Sequence, residues 1–398
     1  MDRQPNDSLA DLRVAIVQPT LAHYRVPVFD LLVRQTGIRL TVLCDRHPSG
    51  SLQSAEPAPS FRCEHSPMQS RGPFVSHPAM LEACQGDRFD AVVLTWNIRL
   101  LQLVPALLAA RQSGKASVLW GHGYSKSDSR LRRMLRDAVV TMPDSVLLYG
   151  FRERERLIAA GWDPRRIFVA PNAIDQQPIR QAAAAWLSDP AKLDRWRREQ
   201  RVEAGSLVVF ISRVEPDKHV DALVRAFARV LDRSPDARLA VIGGGSALGE
   251  VRDLARTLGI SGSVTFTGPL YAEEDVAPWC LSAACMAYPE AIGLSIQHAF
   301  GYGLPVVTGD DIPSHNPEIE ALIPGINGIL FRHRDDRSMA DAITALLEDH
   351  HGRERWRTAA LATVTEPDGF SIDRMVAGFR EAIAMAVGRH TAQGSQGR

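Results

Sequence analysis

The chain of 398 residues lacks several features that mark specialised classes of protein. It carries no net charge, since 46 lysines and arginines balance 46 aspartates and glutamates, and this balance disfavours a dedicated nucleic-acid-binding protein. Its five cysteines include no CxxC pair, which disfavours a zinc site and fits reduced thiols in the cytoplasm.

Long apolar runs are also missing. Residues 1–11 are polar and do not resemble a signal peptide. The most apolar helical stretch, residues 100–110, is too short to span a bilayer. We therefore expect a cytoplasmic protein that can contact the inner face of the plasma membrane but does not cross it.

What is present is a regular alternation of short apolar runs with helical periodicity, in both halves of the chain. This alternation predicts parallel sheets with right-handed crossovers, and the length suits two α/β domains. The predicted strands are residues 13–18, 38–44, 91–95, 116–120, 146–149 and 167–170 in the first half, and 207–211, 239–242, 263–267, 284–288, 306–308 and 328–331 in the second.

The domain organisation follows from these patterns. The first doubly wound domain is predicted over residues 1–175 and the second over residues 176–371. An amphipathic helix over residues 372–387 has no strand after it and is expected to pack back on the first domain. Residues 388–398 are rich in Gly, Gln and Ser, which predicts a disordered tail.

Candidate binding residues follow the strands, because ligands of open parallel sheets bind beyond the carboxyl ends of the strands. Arg213 ends one strand and Lys218 follows at the start of a helix, where two cations and a helix N-terminus suit a diphosphate without a metal. The alternative is that they pair with Glu215 and Asp217 as ordinary loop residues. The turn 243–245, Gly-Gly-Gly, permits close backbone approach to a ligand, but any tight turn would look the same.

Glu290 follows the strand at 284–288 and leads into a helix. A carboxylate in this position can accept hydrogen bonds from sugar hydroxyls, whereas the alternative is an ordinary surface carboxylate. His298 lies about one turn into that helix. It can contact the same ligand, and the alternative interpretation is an ordinary helix histidine without a functional role. The first predicted strand is not followed by GxGxxG, which disfavours a nicotinamide-binding first domain.

In the first half, polar and aromatic residues follow three strands: Tyr24 and Arg25, then Trp96 and Asn97, then His122. Aromatic faces suit the C–H surfaces of sugars. A tryptophan at a strand end also commonly fills a core, and His122 can equally be a packed or capping histidine.

Several of these segments together resemble the C-terminal half of the family-4 retaining glycosyltransferases of the GT-B fold. They are residues 211–218, the glycine turn 243–245 and residues 290–305, while Pro-Asn-Ala-Ile-Asp at 171–175 resembles the family's PNxxD segment. The resemblance implies two Rossmann-like doubly wound domains facing each other across a cleft. It also implies hexosyl transfer with retention from a nucleoside diphosphate sugar to a saccharide or lipid-linked saccharide, without a metal or cofactor.

The resemblance also implies roles for individual residues. Arg213 and Lys218 would hold the diphosphate, Glu290 would contact the donor sugar, and His122 would contact the transferred sugar. The donor-binding residues implied are Gly243, Gly244, Thr267, Gly268, Gly293, Leu294, Ser295 and His298. The acceptor-side residues implied are Tyr24, Arg25, Trp96 and Asn97.

The sequence departs from the family pattern in two places. The second glutamate of the E-x7-E motif, which typically binds the ribose, is replaced by His298, and an imidazole cannot hold two hydroxyls as a carboxylate does. The usual glycine pair after the first strand is replaced by residues 21–25, as in a subset associated with bacterial surface-polysaccharide assembly. A non-catalytic nucleotide-sugar-binding protein and a GT-B sugar-nucleotide epimerase therefore remain as alternatives.

A basic helical stretch over residues 129–136, preceded by Lys126, is a further candidate. Leu131, Met134 and Leu135 share one helical face. Such a helix can lie on an anionic lipid surface, or its apolar face can pack into the core.

Overall fold

The computed structural model describes residues 9–46, 54–124 and 130–396. The chain forms two compact units. The first comprises the residues up to Ala173 together with those from Ile372 onwards, and the second comprises Ile174–Ser371. For comparison, the sequence places the boundary at residue 175 and assigns residues 372–387 to the first domain.

Fifteen strands are present in the described residues. They are β1 (Arg13–Val17), β2 (Arg39–Cys44), β3 (Arg62–His65), β4 (Gln69–Arg71), β5 (Phe74–Ser76), β6 (Ala91–Thr95), β7 (Ala116–Gly121), β8 (Ser145–Leu148), β9 (Ile167–Val169), β10 (Leu207–Ile211), β11 (Arg238–Ile242), β12 (Val264–Gly268), β13 (Ala283–Tyr288), β14 (Val306–Gly309) and β15 (Gly328–Phe331).

Fourteen α-helices accompany these strands in the described residues. They are α1 (Val26–Thr36), α2 (Ala79–Cys84), α3 (Leu103–Gln112), α4 (Arg130–Val139), α5 (Phe151–Ala159), α6 (Gln177–Leu187), α7 (Pro190–Gln200), α8 (Val220–Leu231), α9 (Leu248–Thr257), α10 (Glu273–Ser282), α11 (Ser295–Gly301), α12 (Asp336–Glu348), α13 (Arg353–Thr365) and α14 (Ile372–Gln396). No described helix is both long enough and apolar enough to cross a bilayer.

The first unit is built on a seven-stranded parallel sheet in the order β3-β2-β1-β6-β7-β8-β9. Helices cover both faces. Helices α1 and α14 contribute to the core on one face, and α2, α3 and α5 contribute to the core on the other. Because β1 is followed by β2 on one side and later by β6 on the other, the strand order reverses beside β1, which is where such sheets bind ligands.

The second unit repeats this plan with six parallel strands in the order β12-β11-β10-β13-β14-β15. Its order reverses between β10 and β13. Strand β10 is apolar and mostly buried, as expected for a central strand with helices on both faces. The carboxyl ends of β10 and β13 are therefore the expected ligand-binding edge of this unit.

The twelve predicted strands are confirmed, with bounds that differ by at most about two residues. The sequence missed β3 and the antiparallel hairpin of β4 and β5, because these strands are polar and largely exposed and carry no apolar run. The tail predicted to be disordered from residue 388 is instead helical to Gln396. The physical reason is that α14 is already anchored by its buried residues, and extending an existing helix costs far less than starting one.

Helix α14 is held to the first unit by an aromatic cluster. The fully buried Phe379 ring makes edge contacts with Phe29 and Trp120, at centroid distances of 6.0 and 4.6 Å. Ser145 also donates a hydrogen bond to the carbonyl of Ala382 at 2.8 Å. A C-terminal segment thus completes the core of the N-terminal unit.

We expect Phe379→Ala to lower the free energy of unfolding of the first unit by about 3–5 kcal/mol, because it leaves a cavity beside the Phe29 and Trp120 rings. Urea unfolding followed by tryptophan fluorescence would measure the loss. Glu381→Ala, two residues further along α14 and exposed, is the matched control and should change stability by less than about 0.5 kcal/mol. Equal, small effects of both substitutions would contradict the packing described for α14.

Candidate functional site

The loop that leaves β10 is fixed against the glycine turn that leaves β11. The backbone N–H of Val214 donates to the carbonyl of Gly244 at 2.8 Å, and the N–H of Ala247 donates to the carbonyl of Val214 at 3.0 Å. A Cβ atom on Gly243 or Gly245 would overlap the carbonyl oxygens of Ser212 or Val214 respectively. Only glycine therefore fits at positions 243 and 245. Its small size lets the turn after β11 pack closely against the loop after β10 at the carboxyl edge of the sheet.

This loop places two cations around one carboxylate. Lys218 ends a 3-10 turn over Pro216–Lys218, and its Nζ lies 3.0 Å from Asp217. The hydrogen bond from Lys218 lowers the pKa of Asp217, and the nearby charge of Arg213 acts in the same direction. Lys218 thus forms the ion pair with Asp217 that the alternative interpretation expects of an ordinary loop residue. Arg213, by contrast, is exposed and makes no ion pair among the described residues.

Glu290 is not a surface carboxylate, because its side chain is only 14% exposed. It is held by residues from two other loops. His333 Nε2 and Arg334 Nε approach Oε1 at 3.1 and 3.2 Å, and His219 Nε2 approaches Oε2 at 3.4 Å. The carboxylate therefore sits in a fixed polar cage at the carboxyl ends of β13 and β15.

The three cage residues were missed by the sequence analysis. His219 follows Lys218 directly, and it was passed over because a lone histidine carries little signal. His333 and Arg334 follow β15, and the rule that ligands bind after parallel strands could have found them. Their convergence on Glu290 joins residues more than forty positions apart in the chain.

The backbone around Glu290 is strained. His219, Ala291 and Arg334 have φ angles of 49°, 52° and 58°, a region that residues other than glycine seldom occupy. Such strain persists only where surrounding contacts impose it, and it is concentrated at functional sites. A cavity of about 190 Å³ adjoins the carboxylate, and its lining residues are His219, Ala222, Arg225, Pro289, Glu290, Phe331, Arg334, Asp336 and Met339.

His298 has a carboxylate partner from another helix. Its Nε2 lies 3.0 Å from both carboxylate oxygens of Glu273, the first residue of α10, and the Tyr302 hydroxyl donates to the same carboxylate at 2.6 Å. Burial acts to raise the pKa of Glu273, but the contacts with His298 and Tyr302 outweigh it and leave that pKa lowered. The position that departs from the E-x7-E pattern thus still has a carboxylate beside it.

The remaining donor-side residues are brought to the same edge of the second sheet. The Ser295 hydroxyl, at the start of α11, donates to the carbonyl of Ile211 at 3.2 Å. The N–H of Gly243 donates to the carbonyl of Gly268 at 2.9 Å, and the Thr267 hydroxyl donates to the same carbonyl. Leu294 caps α11, and Gly293 lies against the Asn316 side chain.

In the first unit, Arg25 is the centre of an aromatic cluster. It is 6% exposed, and its guanidinium lies 4.3 Å from the Trp120 ring centroid and 5.4 Å from that of Tyr24. Its Nη2 donates to the Tyr149 hydroxyl at 3.0 Å and to Asn172 Oδ1 at 3.3 Å, while its buried Nη1 has no hydrogen-bond partner among the described residues. Arg25 is therefore a buried cation with neutral partners.

His122 belongs to this cluster, whereas Trp96 does not. The His122 ring lies 4.6 Å from the Tyr149 ring. Trp96 is 6% exposed and packs in the core on the opposite face of the sheet, which favours its core-filling alternative. Asn97 is exposed, and its Oδ1 accepts a hydrogen bond from the backbone of Arg99 at 3.0 Å.

No group of three or more His, Cys, Asp or Glu side chains within residues 9–46, 54–124 and 130–396 is arranged to hold a metal ion. Metal independence of any activity stays a prediction.

Sequence comparison places the second unit in a known family. Residues 192–363 match the family model of glycosyl transferases group 1. The chain is 31% identical over 306 residues to a D-inositol 3-phosphate glycosyltransferase of Nocardia farcinica, covering 73% of this chain and 62% of that relative. The chain thus spans less than two thirds of the length of the curated relatives it matches first.

Solved structures agree on the fold. The structure of Anabaena Alr3699/HepE in complex with UDP superposes with a TM-score of 0.70 at 17% identity, covering 94% of this chain and 100% of that one. The lipopolysaccharide outer core galactosyltransferase WaaB gives 0.64 at 14% identity, covering 94% and 99%. The predicted GT-B fold with two Rossmann-like sheets is confirmed, and residues 192–363 are a glycosyltransferase group 1 domain.

We expect Glu273→Gln to destabilise the protein by about 1–3 kcal/mol near neutral pH, because it removes a half-buried, charged partner of His298 and Tyr302. The pKa of Glu273 is lowered from 4.5 in the folded state, so its contribution is fully present above that value. The difference between wild type and variant should therefore shrink as the pH falls below about 4.5. Urea unfolding between pH 7 and 3 would measure it.

The neighbouring, exposed Glu274 offers the matched control. Glu274→Gln should show no such pH-dependent difference. A difference for Glu273→Gln that stays constant down to pH 3 would mean that the carboxylate is not held in its charged form.

Proposed function

We propose that the chain is a glycosyltransferase that moves a hexosyl group from a nucleoside diphosphate sugar to a saccharide or lipid-linked saccharide. We propose further that it uses no metal or cofactor, and that it acts in the cytoplasm in polysaccharide or glycolipid assembly. The observation that carries the proposal is the pair Arg213 and Lys218, which adjoin one carboxylate at the ligand-binding edge of a group 1 domain.

The chemistry requires a leaving diphosphate to be stabilised. Negative charge grows on it as the bond to the anomeric carbon breaks, so fixed cations favour the transition state over the ground state. Lys218 is held at 3.0 Å from Asp217 and is therefore already positioned. Arg213, which is exposed and lacks an ion pair among the described residues, is available to the diphosphate.

Glu290 is suited to orient the donor sugar. A carboxylate has about four sites that accept hydrogen bonds. Arg334 donates to Oε1 of Glu290, and His333 and His219 lie 3.1 and 3.4 Å from its oxygens. The remaining capacity can be used by a sugar hydroxyl, while the cage keeps the carboxylate in one position.

The donor's ribose is proposed to lie at Glu273 and His298. In the family pattern, a glutamate at the position of His298 supplies the carboxylate that binds the ribose. Here the carboxylate of Glu273, on α10, lies 3.0 Å from His298 Nε2. This pairing removes the main argument for a degenerate, non-catalytic site. The relative with bound UDP supports a uridine nucleotide as the first donor to test, followed by GDP- and ADP-sugars in a thermal-shift screen.

The acceptor is proposed to bind the first unit near Tyr24 and Arg25, beside His122, which is proposed to contact the transferred sugar. A buried guanidinium with only neutral partners is costly, and an anionic group on the acceptor would offset that cost. A relative is named for an acceptor of this kind, inositol 3-phosphate. We therefore include phosphorylated acceptors in the proposal.

Contact with the inner face of the plasma membrane fits a lipid-linked acceptor. The alternative that the apolar face of α4 packs into the core does not hold for Met134 and Leu135, which are 63% and 52% exposed. Lys126 and Ser129 lie outside the described residues, as does the side chain of Leu131.

We expect Arg213→Ala and Lys218→Ala each to lower the transfer rate by roughly a hundred- to a thousandfold, the usual loss when one donor to a developing negative charge is removed. A coupled assay of nucleoside diphosphate release in the presence of acceptor would measure it. Arg233→Ala is the matched control, because this exposed arginine pairs with Glu348 on the surface.

Near-normal turnover in both variants would overturn the assignment of the two cations. Release of nucleoside diphosphate by the wild type at an unchanged rate without acceptor would favour an epimerase instead. Donor binding without any turnover would favour a binding protein.

We also expect the product to retain the anomeric configuration of the donor sugar. The leaving phosphate would then help to deprotonate the acceptor on the same face of the sugar. Proton NMR of the product, recorded before anomers equilibrate, would show the configuration of the new bond. An inverted anomer would exclude this route.

A further inference from the structure

Exposed apolar side chains of the first unit are concentrated in three segments. One is the hairpin of β4 and β5, another is α3 with the turn before it, and the third is α4. The large apolar side chains of these three segments are 42–63% exposed. They are Phe74, Leu101, Val104, Leu108, Met134 and Leu135. Contiguous exposed apolar surface of this kind marks an interaction site.

The hairpin and α3 form one continuous surface. The N–H of Val75 donates to the carbonyl of Arg99 at 2.9 Å, and the N–H of Leu101 donates to the carbonyl of Val75 at 3.0 Å. Leu101, Val104 and Leu108 follow at intervals of three and four residues, so they share one side of the helix. The hairpin therefore extends the apolar ridge of α3.

Helix α4 lies on the same side of the sheet as α3. The two helices connect β6 to β7 and β7 to β8, and right-handed crossovers between strands that follow in one direction fall on one face. Val139 of α4 and Leu107 of α3 share one core cluster. We name the surface formed by the hairpin, α3 and α4 the basic apolar face.

This face is predominantly basic, and the acidic residue of α4, Asp137, is paired with Arg156 at 2.8 Å. Residues 91–127 contain no aspartate or glutamate, and neither do residues 65–81. Exposed arginines border the apolar side chains, and they are Arg71, Arg99, Arg111, Arg130, Arg132 and Arg133. The face thus combines apolar side chains with positive charge, while the whole chain is neutral.

We propose that the basic apolar face docks on the surface of a bilayer that contains anionic lipids. Its apolar side chains would enter the headgroup region and its arginines would contact lipid phosphates. This deepens the proposed function, since it names the surface that would present the enzyme to a lipid-linked acceptor. It involves two elements, α3 and the hairpin, beyond the helix that the sequence singled out.

The composition of the face favours lipid over other partners. A nucleic-acid site would carry polar groups in place of exposed leucine, valine and methionine. A second copy of this chain would bring like charges together, which costs free energy because the acidic residue of α4, Asp137, is already paired with Arg156. An anionic lipid surface complements both the apolar and the basic residues.

Vesicle flotation of the intact chain tests the proposal. The protein should float with vesicles of phosphatidylcholine and phosphatidylglycerol, but not with phosphatidylcholine alone, and high salt should weaken its binding. The double variant Val104→Gln/Leu108→Gln keeps the helix but removes two apolar side chains, and its partition coefficient should fall about tenfold. Arg130→Glu/Arg133→Glu should reduce it by at least about tenfold.

Matched controls are available on the second unit. Leu187→Gln/Leu258→Gln replaces two leucines that are 46% and 39% exposed, and Arg195→Glu/Arg198→Glu reverses two exposed charges on α7. Both control variants should float like the wild type. Circular dichroism and thermal melting of every variant would show that it is folded.

Equal loss in test and control variants would overturn the proposal, as would failure of the wild type to float. A dimer in light scattering that Val104→Gln/Leu108→Gln dissociates would also overturn it and assign the face to self-association. Flotation needs no turnover, so its outcome is independent of whether Arg213 and Lys218 support transfer.

Discussion

The site depends on one geometric constraint: in a parallel sheet, every strand delivers its following loop to the same edge. In the second unit this brings together the loops after β10, β13 and β15, which are far apart in sequence. Glu290 can therefore be held by His219, His333 and Arg334. The left-handed backbone at three positions around it shows that these contacts are strong enough to impose strain.

Both units place an arginine in the segment that follows their first strand, beside the point where strand order reverses. Arg213 after β10 is exposed, whereas Arg25 after β1 is buried among aromatic rings. A cation at this edge favours an anionic ligand in either setting. The two arginines therefore differ in burial, and under the proposed function the exposed one faces the nucleotide donor and the buried one the acceptor.

Prediction from sequence succeeded where the signal is local. Apolar runs identified the strands of both sheets. The order of motifs predicted roles for Arg213, Lys218 and Glu290, and these roles stay predictions. It failed for β3 and the hairpin, because these strands are polar. It also failed for the C-terminal end of α14, because this end extends a helix that is already packed on the first unit. It also assigned Trp96 to the acceptor side, although alternation along β6 turns that side chain into the opposite core.

The sequence by itself determined the class of fold and the chemical types available at the edges of the sheets, because hydrophobic periodicity and residue type are local properties. Only the tertiary structure decided which charges meet. It paired His298 with Glu273, enclosed Glu290 and left Arg25 with neutral partners, since these contacts join residues from separate elements. It also showed that apolar residues of α3, α4 and the hairpin remain exposed, because burial depends on what packs against a helix.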